Sequence, residues 1–365
     1  MTSHGVPRNA APPHDRTEEA RKRERQKIQK YRDLDHLVRT KKTEHDYTED
    51  ALKKTSELLT ENAEYYSIWN YRRLILQSQL DNISATGPAH HAESIGQLIQ
   101  EELTFLVPLL RQFPKCYWIW NHRLWALKQT VGRLPLPQAL RFWQEELALV
   151  GKMLSLDARN FHGWGYRREI VDVLESLGSE AGDPSVEVKE NRLTEDELNY
   201  TTKMIGANLS NFSAWHNRSK LILKMLDERS ADDAERRKML DNELKLIHRA
   251  LIDPYDQSLW FYHQNLMCTL DRATAPKGMA PNLSDETRLE YLKGEIDAIT
   301  ELLDEEEDCK WIYQALLECT LIVLNIQGAV SARVKRDISD WLSNLKRLDP
   351  LRRGRWEDLE RSLMT

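Results

Sequence analysis

The chain has 365 residues, of which 41% are hydrophobic and 30% charged, and its formal net charge is −6. That balance gives ample material for a core and excludes the strongly basic composition of a chain built around nucleic-acid binding. Only 14 glycines and 13 prolines accompany abundant Leu, Glu, Lys and Arg, which favours helix, and no apolar run reaches the roughly 18 residues of a membrane span.

Residues 1–17, beginning MTSHGVPRNAAPPHDR, lack the apolar centre of a secretory signal and are expected to be disordered. Residues 18–365 are expected to form a single helical-repeat domain. Its first element, RKRERQKIQKYRDL (21–34), reads as a polar helix whose charges form a solvated face.

From there the chain repeats itself. YSIWNYRR ends at Arg73, FHGWGYRR at Arg168 and FSAWHNR at Arg218. Seven tryptophans mark the repeat, at Trp69, Trp120, Trp164, Trp215, Trp260, Trp311 and Trp356, spaced 51, 44, 51, 45, 51 and 45 residues apart. Such a period denotes stacked supersecondary units, each unable to bury its apolar face alone. Seven residues before each Trp stand Asn62, Phe113, Asp157, Asn208, Asp253, Asp304 and Asp349. Asn and Asp suit a tight turn because their side chains bond nearby backbone. Pro114, Pro254 and Pro350 follow three of these residues, where a helix must stop. Four residues before the Trp, Asn160, Asn211 and Asp256 are N-cap residues. Within the helix that follows, Trp and the Arg three residues on share one face, as in Trp69/Arg72, Trp120/Arg123, Trp164/Arg167 and Trp215/Arg218.

Each such stripe follows an amphipathic segment, for example LIQEELTFLVPLL (98–110) or LRFWQEELALVGKML (140–154). The unit is therefore helix–turn–helix, and the expected fold is all-α, an α-solenoid of about seven helical hairpins. Three stretches, 81–93, 178–192 and 271–287, read as inserted loops. The last copy has Leu359 where Arg is expected, as an atypical terminal repeat does.

The repeated Trp reads as core. The repeated Arg, on a buried face, needs an acidic or carbonyl partner. Glu102, Glu146 and Glu197, each 18 residues before a Trp, are candidates, with a Glu146–Arg167 pair as the expectation. Four cysteines, Cys116, Cys268, Cys309 and Cys319, form no C-x-x-C pair and adjoin no histidine cluster. No metal site is expected in this chain, and free thiols with a cytoplasmic location are. Lys115, Tyr117 and His162 stand at the helix-start turns of the second and third repeats. Adjacent repeats place such turns side by side, so an ammonium, a phenol and an imidazole converge near helix N-termini, a setting suited to an anion.

Motif, period and repeat number together resemble the α subunits of protein prenyltransferases, over roughly residues 20–365. The block DPYDQSLWFYH (253–263), CKWIYQALLEC (309–319) and HGVPR near the start are most similar to the α subunits of Rab geranylgeranyltransferase (type II). The short chain matches the compact form typical of fungi. The resemblance implies a crescent wrapped around a separate β subunit in an obligate heterodimer, with zinc and most of the lipid pocket in that partner. It implies transfer of geranylgeranyl from its diphosphate to C-terminal cysteines of Rab GTPases presented by an escort protein. It also implies that Lys115, Tyr117 and His162 line the diphosphate end of the lipid, with Lys115 and His162 assisting the reaction. Cys116 stands where the family commonly has Asn or Ser, a change expected to be tolerated if that side chain faces away from the lipid. Two alternatives remain at this point: the α subunit shared by farnesyltransferase and geranylgeranyltransferase type I, and a non-catalytic helical-repeat adaptor.

Overall fold

The structure is a computed structural model that describes residues 17–85, 91–180, 184–328 and 331–364, with the side chains of 179–192 and 364 left aside. Residues 1–16, including HGVPR and almost all of the segment expected to be disordered, lie outside the described residues.

Among the described residues the secondary structure is helical, with fifteen α-helices and no strand. The leading helix is α1 (Glu18–Thr43). Seven hairpins follow: α2 (Glu49–Glu61) with α3 (Tyr66–Ala85), α4 (His91–Gln112) with α5 (Tyr117–Lys128), α6 (Leu136–Leu156) with α7 (Phe161–Glu180), and α8 (Pro184–Ala207) with α9 (Phe212–Glu228). The last three are α10 (Asp233–Ala250) with α11 (Gln257–Met267), α12 (Asp285–Glu305) with α13 (Lys310–Gln327), and α14 (Ala332–Leu348) with α15 (Arg353–Met364). They fall into two compact units, Met1–Glu190 and Asn191–Thr365. Of the three stretches expected to be loops, only the last is a long connection, carrying a single 3₁₀ turn at Ala275–Lys277. In the other two, helices α3, α4, α7 and α8 run through most of the residues, so the longer spacing comes from longer helices.

The turn chemistry is local and recurs. Asn62, Asp157 and Asp349 end α2, α6 and α14 with nearly the same backbone shape, φ of −143°, −138° and −127°. Asn211 and Asp256 then cap the next helix through their side chains. In five hairpins the indole N–H closes the turn by donating to the carbonyl six residues earlier. Trp69 reaches Ala63, Trp120 Pro114, Trp164 Ala158, Trp215 Leu209 and Trp260 Pro254, at 2.7–2.9 Å.

The sixth hairpin corrects the expected repeat positions. Tyr313, not Trp311, makes this bond, its hydroxyl donating to Glu307 O at 2.8 Å. Seven residues before Tyr313, Glu306 rather than Asp304 is the C-cap, with φ −135°. In the seventh hairpin Trp356 is buried against Tyr313, Leu317, Ile338, Leu342 and Leu345, but its indole nitrogen has no hydrogen-bond partner. The carbonyl six residues back, Pro350 O, instead accepts the Arg353 N–H of a 3₁₀ turn.

Buried ion pairs join neighbouring hairpins. Glu102 on α4 accepts Arg72 Nε at 2.8 Å and Nη2 at 2.6 Å, and meets His122 Nε2 at 2.7 Å. Glu146 on α6 takes Arg123 at 2.5 and 2.8 Å and the Tyr166 hydroxyl at 2.7 Å. In the second unit Glu243 takes Arg218 at 2.7 and 2.6 Å and Tyr262 at 2.5 Å. Each acid thus serves the Arg one hairpin back, rather than the Arg that follows it as in the expected Glu146–Arg167 pair. Its remaining bond goes to the residue two after its own hairpin's Trp. That same residue carries the ring against which the preceding hairpin's Trp packs. Trp69 lies on His122 at 4.8 Å, Trp120 on Tyr166 at 5.0 Å and Trp215 on Tyr262 at 4.6 Å. The free guanidinium nitrogen of Arg72, Arg123 and Arg218 bonds the carbonyl of Leu52, Leu103 or Leu198 on the first helix of its own hairpin. The charges are paired and hydrogen-bonded on all sides, the condition for burying them.

Candidate functional site

The start turns of the second and third hairpins are tied together by one carbonyl. Pro114 O accepts both the Trp120 indole N–H and the Asn160 side-chain amide, each at 2.9 Å. Asn160, acting as the cap of α7, accepts the His162 backbone N–H at 3.1 Å. On the other side Cys116 is buried and its thiol donates to Ala63 O at 3.3 Å in the first hairpin. Its side chain therefore faces the neighbouring turn. Burial pushes that thiol up to about 11, so it is inert at neutral pH.

On this frame the structure brings Lys115, Tyr117 and His162 together. The Tyr117 and His162 rings lie 6.1 Å apart. Lys115 reaches across to the third hairpin and binds Asp157, the C-cap of α6. His162 is partly buried. Burial, and then the Lys115 charge, lower its pKa from the ordinary histidine value, against a weaker pull from Glu64. The imidazole is therefore neutral at pH 7, a one-proton donor.

Aromatic side chains surround these donors. Trp118 lies 5.4 Å from Tyr66 and 5.2 Å from Tyr117, and the Phe161 ring lies tilted 4.1 Å from His162. Tyr66, Tyr117 and Phe161 are 56%, 52% and 69% exposed, a contiguous apolar rim of the kind that marks a binding surface.

Sequence reasoning missed several neighbours. Asp157 was visible only as a turn former. Glu64 and Trp118 gave no periodic signal. Arg73 was visible in the repeated Arg-Arg pair, yet nothing local distinguishes it from Arg72. Arg72 is locked in the core, whereas Arg73 donates to His122 Nδ1 at 3.3 Å, lies 5.7 Å from the Trp125 ring and has no carboxylate partner among the described residues. Among the described residues no group of three His, Cys, Asp or Glu converges to hold a metal, and no helix is long and apolar enough to cross a membrane. The site offers fixed donors within an aromatic rim, which is the equipment for holding an anion attached to an apolar chain.

Four segments, residues 48–79, 99–130, 143–174 and 194–225, match the protein prenyltransferase alpha subunit repeat. Each covers one helical hairpin, and all four precede the region where His263 and Tyr313 replace the repeated Arg and Trp. A chain of Candida albicans protein geranylgeranyltransferase-I complexed with GGPP has the same fold, with a TM-score of 0.59 at 21% identity over 90% of this chain and 89% of that one. The class is thus a prenyltransferase α-subunit fold. The geranylgeranyl transferase type-2 subunit alpha of Saccharomyces cerevisiae is 33% identical over 92% of both chains, and that of Schizosaccharomyces pombe 36% identical over 95% of this chain and 96% of its own. The human type-2 subunit is 35% identical over 69% of this chain but only 40% of its own length. The chain belongs to the family of geranylgeranyl transferase type-2 α subunits.

Proposed function

We propose that this chain is the α subunit of a cytoplasmic Rab geranylgeranyltransferase. Paired with a β subunit, it takes part in moving geranylgeranyl from geranylgeranyl diphosphate to C-terminal cysteines of Rab GTPases presented by an escort protein. The observation that carries the site assignment is the convergence of Lys115, Tyr117 and His162 on adjacent turns. A non-catalytic adaptor has no need of it. The type-2 relatives favour this reading over a subunit shared by the farnesyl and type I enzymes. The β subunit that co-purifies with the chain separates those two.

The reaction forms a bond from sulfur to lipid C1 and breaks the bond from C1 to oxygen, whose electron pair leaves on the diphosphate. The zinc such a reaction calls for is assigned to the β subunit; among the described residues of this chain no set of ligands converges. This chain's part is electrostatic. As the C1–O bond lengthens, negative charge grows on the phosphate oxygens, and donors fixed in advance lower the barrier most where charge develops. Lys115 supplies a full charge, Tyr117 a phenolic hydrogen bond and His162 a neutral one.

Single-turnover transfer by the assembled heterodimer tests this. Removing one such donor from a dry site costs about 10²–10³ in rate, and this wetter site, shared with the partner's own cations, should show about tenfold to a hundredfold for Lys115→Ala. His162→Ala should cost less. A Lys115→Ala rate within about twofold of wild type would make the turn scaffold alone.

A further inference from the structure

Lys115 is not a free cation. Its ammonium is held by Asp157, no other donor side chain among the described residues reaches that carboxylate, and both groups keep contact with water, at 34% and 19% exposure. The structural explanation is that this is one more tie between adjacent turns. Position for position, the same tie exists in the second unit, where Tyr255, five residues before Trp260, donates to Glu306, seven before Tyr313, at 3.0 Å. That parallel argues the other way as well. A neutral hydroxyl is enough to make the tie, so the full charge of Lys115 exceeds what the turn requires. With His162 neutral and Asp157 cancelling Lys115, these three side chains carry no net positive charge at rest.

We propose that Asp157 is the resting counter-ion of Lys115, a positioning residue that sets how tightly the site holds a diphosphate. The inference rests on the anion-site reading above. An incoming diphosphate competes with the carboxylate for the ammonium, and a weakly charged anion competes poorly. The half-wet carboxylate turns to solvent when displaced. After transfer, Asp157 competes for the same ammonium and drives inorganic pyrophosphate out. The carboxylate therefore weakens ground-state and product binding while leaving Lys115 correctly placed for the chemical step.

The sign of this effect separates it from a structural role. Loss of a purely structural tie loosens the turn and weakens anion binding, whereas loss of a counter-ion strengthens it. Inhibition by inorganic pyrophosphate is measured on the assembled heterodimer, alongside single-turnover and steady-state rates. Asp157→Asn should bind pyrophosphate about two- to fivefold tighter, the scale of a partly exposed ion pair. Its single-turnover rate should stay near wild type while steady-state turnover slows. In a Lys115→Ala background, Asp157→Asn should tighten nothing, and Asp157→Glu should bind pyrophosphate as wild type does. Equal or weaker binding by Asp157→Asn, or tightening by Asp157→Glu, overturns the counter-ion role. Tightening that persists without Lys115 also overturns it. If Lys115→Ala itself leaves pyrophosphate affinity unchanged, the anion site falls, and the inference with it. If Lys115→Ala weakens binding and Asp157→Asn does nothing, only the counter-ion fails.

Discussion

Changing Glu102 to Gln alters one oxygen for one NH₂ and keeps the shape. Its cost follows from what surrounds that group. Oε1 receives Arg72 Nε at 2.8 Å and His122 Nε2 at 2.7 Å, and Oε2 receives Arg72 Nη2 at 2.6 Å. His122 cannot reverse its role, because Arg73 donates to Nδ1 and an arginine only donates, so the ring proton sits on Nε2. Every neighbour of the carboxylate is therefore a donor, and an amide NH₂ must face one of them. Arg72 and His122 are 3% and 0% exposed, so neither can turn to water. Breaking a buried pair from one side costs about 3–5 kcal/mol. The ionisation of Glu102 points the same way. Burial alone would raise its pKa, but the Arg72 charge and the hydrogen bonds from His122 and Arg72 prevail and hold it at about 2, against 4.5 when free. That difference is worth about 3 kcal/mol. Because the folded value lies below the unfolded one, the contribution is present above about pH 4.5 and is lost as pH falls toward 2. Thermal unfolding of Glu102→Gln at pH 7 should show the first unit melting roughly 6–20 °C lower. The deficit should shrink as the pH of the comparison is lowered from 4.5 toward 2. A loss under about 1 kcal/mol at pH 7 would refute the argument that this pair is buried and fully committed.

Glu295 is the exception among these acids, since both partners are histidines, His248 and His263, each 2.9 Å from Oε2. The Glu295 hydrogen bond raises the His248 pKa against the opposing effect of burial; in the groove beside it stand Arg237, Asp241, Glu290 and Tyr291. Stability from His248 is then full below about pH 6.5 and lost as pH rises through the raised folded value, so wild type should lose more melting temperature between pH 6 and 8.5 than His248→Gln, and equal slopes would contradict it. Tyr313→Phe should cost about 1 kcal/mol in urea unfolding by deleting the bond to Glu307, and no change would remove Tyr313 from the repeat position.

What the sequence disclosed was whatever a turn encodes within about ten residues. Asp157, Asn160, Trp164 and Arg167 declare a helix end, a cap, a core ring and a buried cation in one short stretch, and four such stretches define the hairpins. Pairing across hairpins was legible only as a class. Glu146 lies within reach of two arginines, Arg123 and Arg167, and spacing along the chain cannot say which one the stacking delivers. In the sixth hairpin the acidic run Asp304 to Asp308 offers several turn formers, and the indole at Trp311 is more conspicuous than the phenol that takes its place two residues on. Lys115, Tyr117 and His162 could be collected because adjacent turns of a repeat must lie together. Asp157 escaped as a partner because its turn-forming role already accounted for it.

The same turn explains how a scaffold and the proposed anion-binding surface coexist in eight residues such as FHGWGYRR. The Trp164 indole is bonded backward to Ala158 and buried by the hairpin stack, and the Asn160 side chain holds both Pro114 O and the His162 amide. Between those two fixed points the backbone of residues 158–164 is held, which aims the outward-pointing His162 between the Phe161 and Tyr117 rings. A donor displayed in this way need not reorganise when charge appears on a phosphate oxygen, which is the condition under which an electrostatic contribution is greatest. Conversely, loosening the frame should misplace the donors without touching them. Asn160→Ala removes the amide bond to Pro114 O and the cap of α7, yet leaves Lys115, Tyr117 and His162 intact. The placement of the imidazole therefore depends on a residue of the turn outside the proposed anion-binding set.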